Sequence, residues 1–356
     1  MKKILVVDDS ALMRRVLCDI INSDERFHVE DRAVNGLEAL DLLSRKSYDA
    51  VVLDVNMPQM NGLELLKELQ KRKISARVMM ASTDTKEGAK TTLDALELGA
   101  LDFIHKPNNA MDCRTDAFKD KLLRMLAVVA DSKAPSISKA FGVDEIKTSK
   151  KVIELVGRHA SEVTGNKIVA LASSTGGPKA LQSVIPRLPK NLKAPMVVVQ
   201  HMPTGFTASL AERLNSLSEI HVKEAAEGDV LEAGTVYIAM GGRHMNIQLS
   251  TGKYTIHYTD QPPREGVRPC ANYMYESLMD SRYDQVLCVV MTGMGADGTE
   301  GIKHLKEKKK IHVIAQEAST CAVYGMPRSV VKAELADQVV PLDQIAQEII
   351  MNVGVN

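Results

Sequence analysis

KILVVDD, residues 3–9, is a short apolar run that ends abruptly in two carboxylates. An unbroken apolar run of this length suits a strand buried on both faces of a parallel sheet. Similar runs return at AVVLDV (50–55), ARVMMAS (76–82) and LDFIHKP (101–107), with a weaker, alternating one at HVEDRAV (28–34). Helical patterns lie between them, such as the stripe formed by Leu12, Val16, Leu17, Ile20 and Ile21. Strands that alternate with helices imply right-handed βαβ units. Five of them make a flavodoxin-like, doubly wound domain. A helix predicted over 116–129 closes it, so the first domain is residues 1–130.

The texture then changes. Residues 131–165 contain SKAPSISK and TSKK and lack a strong apolar run, which reads as a linker, with a short helix over 152–163. From Lys167 the alternation resumes, with buried strands expected at KIVALAS, PMVVVQH, TVYIAM, QVLCVVMTG and IHVIAQ. HMNIQLS and YTIHYT alternate in polarity and predict a small β-hairpin. The second domain, residues 166–356, is therefore also doubly wound α/β.

Composition removes several function classes. The chain has 356 residues, or about two domains at ~150 residues each. Its 45 basic residues are matched by 45 acidic ones, so no electrostatic pull toward nucleic acid is expected. Aromatics are 4% and Trp is absent, which argues against a stacking platform for single strands. Cysteines stand at 18, 113, 270, 288 and 321, an odd number with no C-x-x-C, as suits a reducing cytoplasm. The opening MKKILVV mimics a signal peptide, but Asp8 and Asp9 end it too early. A cytoplasmic protein with no membrane insertion is expected.

In an open parallel sheet, ligands bind at the carboxyl ends of the strands. Asp8 and Asp9 follow the first strand, Asp54 ends the third, Ser82 the fourth, and Lys106 with Pro107 the fifth. Crowded carboxylates repel unless a cation neutralises them, and hard oxygen ligands with room for water suit Mg²⁺. A carboxylate held there can attack a phosphoryl group. One acidic pair alone reads as a loop; five polar residues on successive strand ends do not. The set resembles the receiver domain of bacterial response regulators. The resemblance implies that Asp54 is the phospho-acceptor, that Asp8 and Asp9 bind Mg²⁺ with it, that Ser82 is the switch hydroxyl and that Lys106 contacts the phosphate. It also implies a histidine kinase as phosphodonor.

KIVALASSTGGPKALQSVI reads strand, sharp turn, helix, with Ser174 at the turn and Gly176 and Gly177 behind it. Taken alone, Ser173, Ser174 and Thr175 read as helix caps. His201 at the end of the next strand and Asp297 just after a later one change that reading. Three such side chains on one sheet edge can assemble a triad: Ser174 nucleophile, His201 base, Asp297 orienting the ring. No second His or Cys accompanies His201 at metal-ligand spacing. GMGADG (293–298) also satisfies a dinucleotide fingerprint, and Glu317 stands where a ribose-binding acid is expected. That fingerprint normally opens the first βαβ unit, whereas here it follows a late strand.

The order SSTGGP, QHMPTGFT, MTGMGADG behind a receiver resembles the protein-glutamate methylesterases of bacterial chemotaxis. The resemblance carries the triad Ser174, His201 and Asp297 and places the Met294 N–H in the oxyanion hole, with no cofactor in this domain. It implies methyl-accepting chemoreceptors as substrates for methyl-ester hydrolysis and glutamine deamidation, and a receiver that lies over the site until Asp54 is phosphorylated. Two stretches depart from the family pattern. G-A-S-T-G-G has Ala172-Ser173-Ser174 at its start, a small-for-small change. R-P-S-V-D appears as Arg268-Pro269-Cys270-Ala271-Asn272, expected at the site's rim with a bearing on substrate docking. The rivals are a DNA-binding output, which is usually smaller, basic and helix-turn-helix, and a non-catalytic adaptor, against which the intact triad residues weigh.

Overall fold

The computed structural model describes residues 1–82, 86–107, 112–132 and 164–356. The chain divides into two compact units, Met1–Ser138 and Lys139–Asn356. Most of the stretch read as a linker, with the helix expected over 152–163, lies outside the described residues.

In the first unit, β1 (Lys2–Val7), β2 (Phe27–Ala33), β3 (Ala50–Asp54), β4 (Val78–Ser82) and β5 (Asp102–His105) alternate with α1 (Ala11–Asn22), α2 (Gly36–Arg45), α3 (Gly62–Lys71), α4 (Lys86–Glu97) and α5 (Asp116–Asp131). The sheet runs β2-β1-β3-β4-β5 and is parallel throughout. Because helices cover both faces, Ile4 to Val7 and Ala50 to Leu53 are all buried, as their unbroken apolar runs require. Side-chain caps start the helices: Ser10 accepts from the Met13 N–H, Asn35 from the Glu38 N–H, and Asn61 with Glu64 forms a capping box.

In the second unit, β6 (Lys167–Ser173), α6 (Gly177–Val184), β7 (Met196–Gln200), α7 (Phe206–Leu217), β8 (His221–Glu224) and β9 (Thr235–Ile238) lead into the hairpin β10 (His244–Ser250) and β11 (Lys253–Thr259). Then follow α8 (Ala271–Ser277), β12 (Gln285–Val290), α9 (Thr299–Lys308), β13 (Ile311–Gln316), α10 (Met326–Lys332), β14 (Gln338–Val340) and α11 (Leu342–Val353). The main sheet has seven strands in the order β14-β13-β12-β6-β7-β9-β8. β8 and β14, four and three residues long, are edge strands that the apolar pattern did not reveal. Tyr275 anchors α8 under the sheet, fully buried, with its hydroxyl within reach of the Ala170 and Val289 carbonyls at 3.3 and 3.2 Å.

The chain order reverses beside β1 in the first sheet and beside β6 in the second. The strand ends at such a point leave a crevice, since successive crossovers depart in opposite directions. In the first unit the crevice lies between β1 and β3, and in the second between β12 and β6.

Gly62 shows how closely the first crevice is packed. Its N–H bonds the Val55 carbonyl at 2.9 Å, and a Cβ there would lie 2.4 Å from the Asp54 carbonyl oxygen. Backbone cannot swing aside as a side chain can. Gly62→Ala is expected to cost about 1–3 kcal/mol, the usual range for overpacking. The check is a lowered denaturant midpoint for the full chain, followed by probes in the first unit. An unchanged midpoint would mean that the turn relaxes freely.

Candidate active site and acidic centre

At the β1/β3 crevice, Asp8 and Asp54 are buried and Asp9 is exposed. Lys106 Nζ reaches across from the end of β5 and donates to Asp8 Oδ2 at 2.9 Å and Asp54 Oδ1 at 2.8 Å. The Val55 N–H donates to that same Asp54 Oδ1 at 2.8 Å. Oδ2 is therefore the Asp54 oxygen left without these partners. Burial pushes the Asp54 carboxyl up, against the pull of Lys106. Burial also disfavours the Lys106 cation, but Asp54 and Asp8 outweigh it and raise the ammonium above its ordinary range. Ser82 ends β4 and accepts from Thr92 Oγ1 at 2.9 Å.

Ligand oxygens of Asp8, Asp9 and Asp54 lie within 4.8 Å of one another. Three carboxylates at this spacing, one of them exposed, fit a hard divalent cation that keeps several waters. The residues expected from sequence to form this centre, Lys106 and Ser82 included, lie at neighbouring strand ends.

At the β12/β6 crevice, Ser174 directly follows β6. Its N–H donates to the Thr292 carbonyl at 3.0 Å, which ties the turn to the end of β12. Gly176 takes φ 76° at the cap of α6, a left-handed conformation that favours glycine. Gly177 faces Gln200, and a Cβ there would lie 2.0 Å from the Gln200 amide oxygen.

His201 follows β7, beside β6. Its N–H donates to the Ser173 carbonyl at 3.1 Å, and its ring Nε2 pairs with Asp297 Oδ2 at 2.7 Å. Nδ1 is thus the ring nitrogen left to take a proton. No hydrogen bond joins Ser174 Oγ to the ring among the described residues, a looseness common before substrate arrives.

Asp297 is 2% exposed and accepts four hydrogen bonds. Besides His201, Oδ2 takes the Ala271 N–H at 2.6 Å, while Oδ1 takes the Asn272 N–H at 2.9 Å and the Cys270 thiol at 3.0 Å. Burial alone would raise this carboxyl, but the bonds from His201, Ala271 and Cys270 overcome it and hold it below the ordinary range. Asp297 is therefore an anion at neutral pH.

The Cys270-Ala271-Asn272 stretch corrects an expectation. It does not line a rim: all three residues are fully buried and donate to the Asp297 carboxylate. The Asn272 amide oxygen accepts from the Gly298 and Gly301 N–H groups at 3.0 and 2.7 Å, and its Nδ2 donates to Glu265 at 2.7 Å. The chain turns back beneath the β12 loop, so a motif remote in sequence from Asp297 becomes its support.

Gln200 is a site residue that sequence reasoning missed. It is 2% exposed. Its Oε1 accepts from Ser173 Oγ at 2.7 Å, and its Nε2 lies 3.0 Å from the Ser174 carbonyl and 3.2 Å from that of His201. The sequence signal is slight, a polar residue that ends the apolar run MVVVQ just before His201; its pairing with Ser173 appears only in the strand register. The same contacts engage Ser173 as a buried donor, leaving Ser174 as the hydroxyl at the crevice.

The glycine-rich loop after β12 also has a settled packing. A Cβ at Gly293 would lie 2.8 Å from Ser174 Cβ, so the loop presses on the serine turn. The next residue is Met294, whose N–H has no backbone acceptor among the described residues. With Asp297 turned inward to His201, the loop does not present the open fingerprint of a dinucleotide site.

Residues 169–349 match the CheB methylesterase family, and residues 4–117 match the response regulator receiver domain. A protein-glutamate methylesterase/protein-glutamine glutaminase of Halalkalibacterium halodurans is 41% identical over 98% of this chain and 97% of its own length. One of the same name from Pyrococcus horikoshii is 41% identical over 99% of this chain and 94% of its own. The crystal structure of the Thermotoga maritima CheB methylesterase catalytic domain superposes with a TM-score of 0.51 and 43% identity, covering 53% of this chain and 98% of that one.

The geometry separates the two serines experimentally. A fluorophosphonate probe is expected to label Ser174 and leave Ser173 unmodified, as mass spectrometry of the digest will show. Ser174→Ala should abolish labelling and lower turnover of an activated ester on the order of a million-fold. Undiminished labelling or turnover would remove Ser174 as the nucleophile.

Proposed function

The chain belongs to the CheB methylesterase family, with a receiver domain ahead of the catalytic one, and from this premise we propose how its residues act. The protein is a protein-glutamate methylesterase/protein-glutamine glutaminase, a hydrolase under receiver control; a DNA-binding output is set aside. We infer that its substrates are γ-glutamyl methyl esters and specific glutamines on the cytoplasmic helices of methyl-accepting chemoreceptors. The phosphodonor is a chemotaxis histidine kinase, and the protein works in the cytoplasm. Among the described residues no helix is long and apolar enough to cross a membrane.

The observation that carries the reading is the buried Asp297–His201 pair beside the Ser174 turn. Ser174 Oγ attacks the side-chain carbonyl carbon as His201 Nδ1 takes its proton. The imidazolium that forms keeps its Nε2–H on the Asp297 carboxylate, which stabilises it. The tetrahedral oxyanion is held by the Met294 N–H. His201 returns the proton to the leaving oxygen of methanol, or to the nitrogen of ammonia. Water, activated by the same ring, then attacks the acyl-enzyme and frees glutamate.

In the receiver, Asp8, Asp9 and Asp54 would hold Mg²⁺, which when bound supplies positive charge beside the phosphoryl oxygens. Asp54 Oδ2 is the attacking oxygen, since Oδ1 is engaged by Lys106 and Val55. Lys106 steadies the new phosphoryl group, and Ser82 turns toward it.

Asp54→Asn is expected to abolish phosphate incorporation from acetyl phosphate while keeping basal methanol release within about twofold, because the amide lacks the nucleophilic anion. Removing Mg²⁺ with EDTA should block incorporation into the wild type in the same way. Incorporation into the Asn variant at the wild-type level would exclude Asp54 as acceptor.

Receiver control also has a direct test. A fragment that begins at Gly165 is expected to hydrolyse a small methyl ester about tenfold faster than the unphosphorylated full chain, a restraint of roughly 1.4 kcal/mol. Phosphorylation of the full chain should recover most of that difference. Equal specific activities would leave the receiver a tether to its partners rather than a restraint.

A further inference from the structure

Three of the four hydrogen bonds on the Asp297 carboxylate come from one tripeptide, Cys270-Ala271-Asn272. Two of those donors are backbone N–H groups, which any residue supplies. The third is the Cys270 thiol, 3.0 Å from Oδ1 and fully buried. It is the one side-chain donor to Asp297 other than His201 among the described residues.

The division of bonds between the two carboxylate oxygens has a geometric consequence. Oδ2 takes His201 and the Ala271 N–H, and Oδ1 takes the Cys270 thiol and the Asn272 N–H. A carboxylate with one oxygen poorly held turns about its Cβ–Cγ bond, a broad and soft torsion. We propose that Cys270 is a positioning residue: by donating its thiol proton to Asp297 Oδ1, beside the Asn272 N–H, it tightens the hold on the carboxylate plane, and through it on the ring of His201. The proposal rests on the triad reading above and assigns a role to a residue that reading leaves unused.

Two further observations agree. Burial, and then the nearby Asp297 charge, push the thiol far above its ordinary range, so it stays protonated and able to donate. The neighbouring Asn272 side chain locks the loop that carries Asp297, through the Gly298 and Gly301 N–H groups. Cys270 thus completes a cradle whose other members hold the backbone around the carboxylate. A thiol is a weak donor to a neutral acceptor, but a charged acceptor strengthens the bond.

The test uses the full-length chain with Cys270→Ser, Cys270→Val and Cys270→Ala, each first checked for cooperative thermal unfolding. Serine keeps a donor; valine fills the space without one. Expected are kcat within about threefold of wild type for serine, and a fall of roughly tenfold for valine and alanine, the scale of one hydrogen bond to a charged group. KM should stay within about twofold in all three, because the thiol does not touch substrate. Wild-type kcat in the valine variant, or serine as impaired as valine, would overturn the proposal in favour of simple packing. Should valine prove too bulky to fold, alanine against serine decides the same question. Failure of the wild-type chain to release methanol from methylated receptors would refute the esterase reading instead, and is separate from every variant comparison.

Discussion

A parallel strand delivers the residues that follow it to one edge of its sheet, and the crossover helix must then depart to one face or the other. Where two neighbouring strands send their crossovers to opposite faces, nothing fills the space between their ends. Both units of this chain place their chemistry at that gap. Asp8 and Asp54 flank the gap between β1 and β3, and Ser174 and the Asp297 loop flank the gap between β6 and β12. The remaining residues come from strands further out, Ser82 from β4 and Lys106 from β5 in one sheet and His201 from β7 in the other. Topology thus settles where reactive groups can meet before any side chain is chosen.

The same gap holds a buried carboxylate in each unit, and their surroundings differ. Asp54 has a single N–H and one shared lysine, and burial leaves its carboxyl raised. Such a group gains from any further positive charge, and among the described residues its Oδ2 accepts no hydrogen bond. Asp297 has four donors and is held low despite deeper burial. It has no free oxygen and no reason to become a nucleophile. Its fixed negative charge stabilises a neighbouring cation, which is what a histidine base requires as it accepts a proton. The count of donors around each carboxylate thus agrees with the proposed roles, Asp54 as phospho-acceptor and Asp297 as partner of the histidine.

Most of this was legible in the order of residues because buried strands announce themselves as unbroken apolar runs and the candidate site residues sit at or just after their ends. Asp8, Asp54, Lys106, Ser174 and His201 could all be placed by that rule. β8 and β14 escaped it because they are short and lie on the sheet edges, where burial is partial and no apolar run is needed. Gln200 escaped for a different reason: it bonds the backbone of two strand ends at once, a role that depends on strand register rather than on any motif. Cys270 and Asn272 were read as rim residues since nothing in the linear order shows that the segment before α8 folds beneath the β12 loop. That placement follows from the burial of Tyr275 and the capping of the loop by Asn272, both of which are tertiary.

One site can serve both an ester and an amide because the two reactions share everything up to the leaving group. Each passes through a tetrahedral oxyanion on the same γ-carbon and the same glutamyl acyl-enzyme, and each ends as glutamate. The difference lies in what must be protonated on departure. Methoxide is the better leaving group, whereas an amine nitrogen must carry its proton before the bond breaks. In the proposed mechanism the burden of the amide reaction therefore falls on the acid form of His201 and on the group that stabilises it. In that mechanism the Asp297 carboxylate, paired with Nε2 at 2.7 Å, stabilises the imidazolium until the proton is given up. In the proposed mechanism the bonding of Asp297 therefore bears on both reactions, and most on the one whose leaving group must be protonated first.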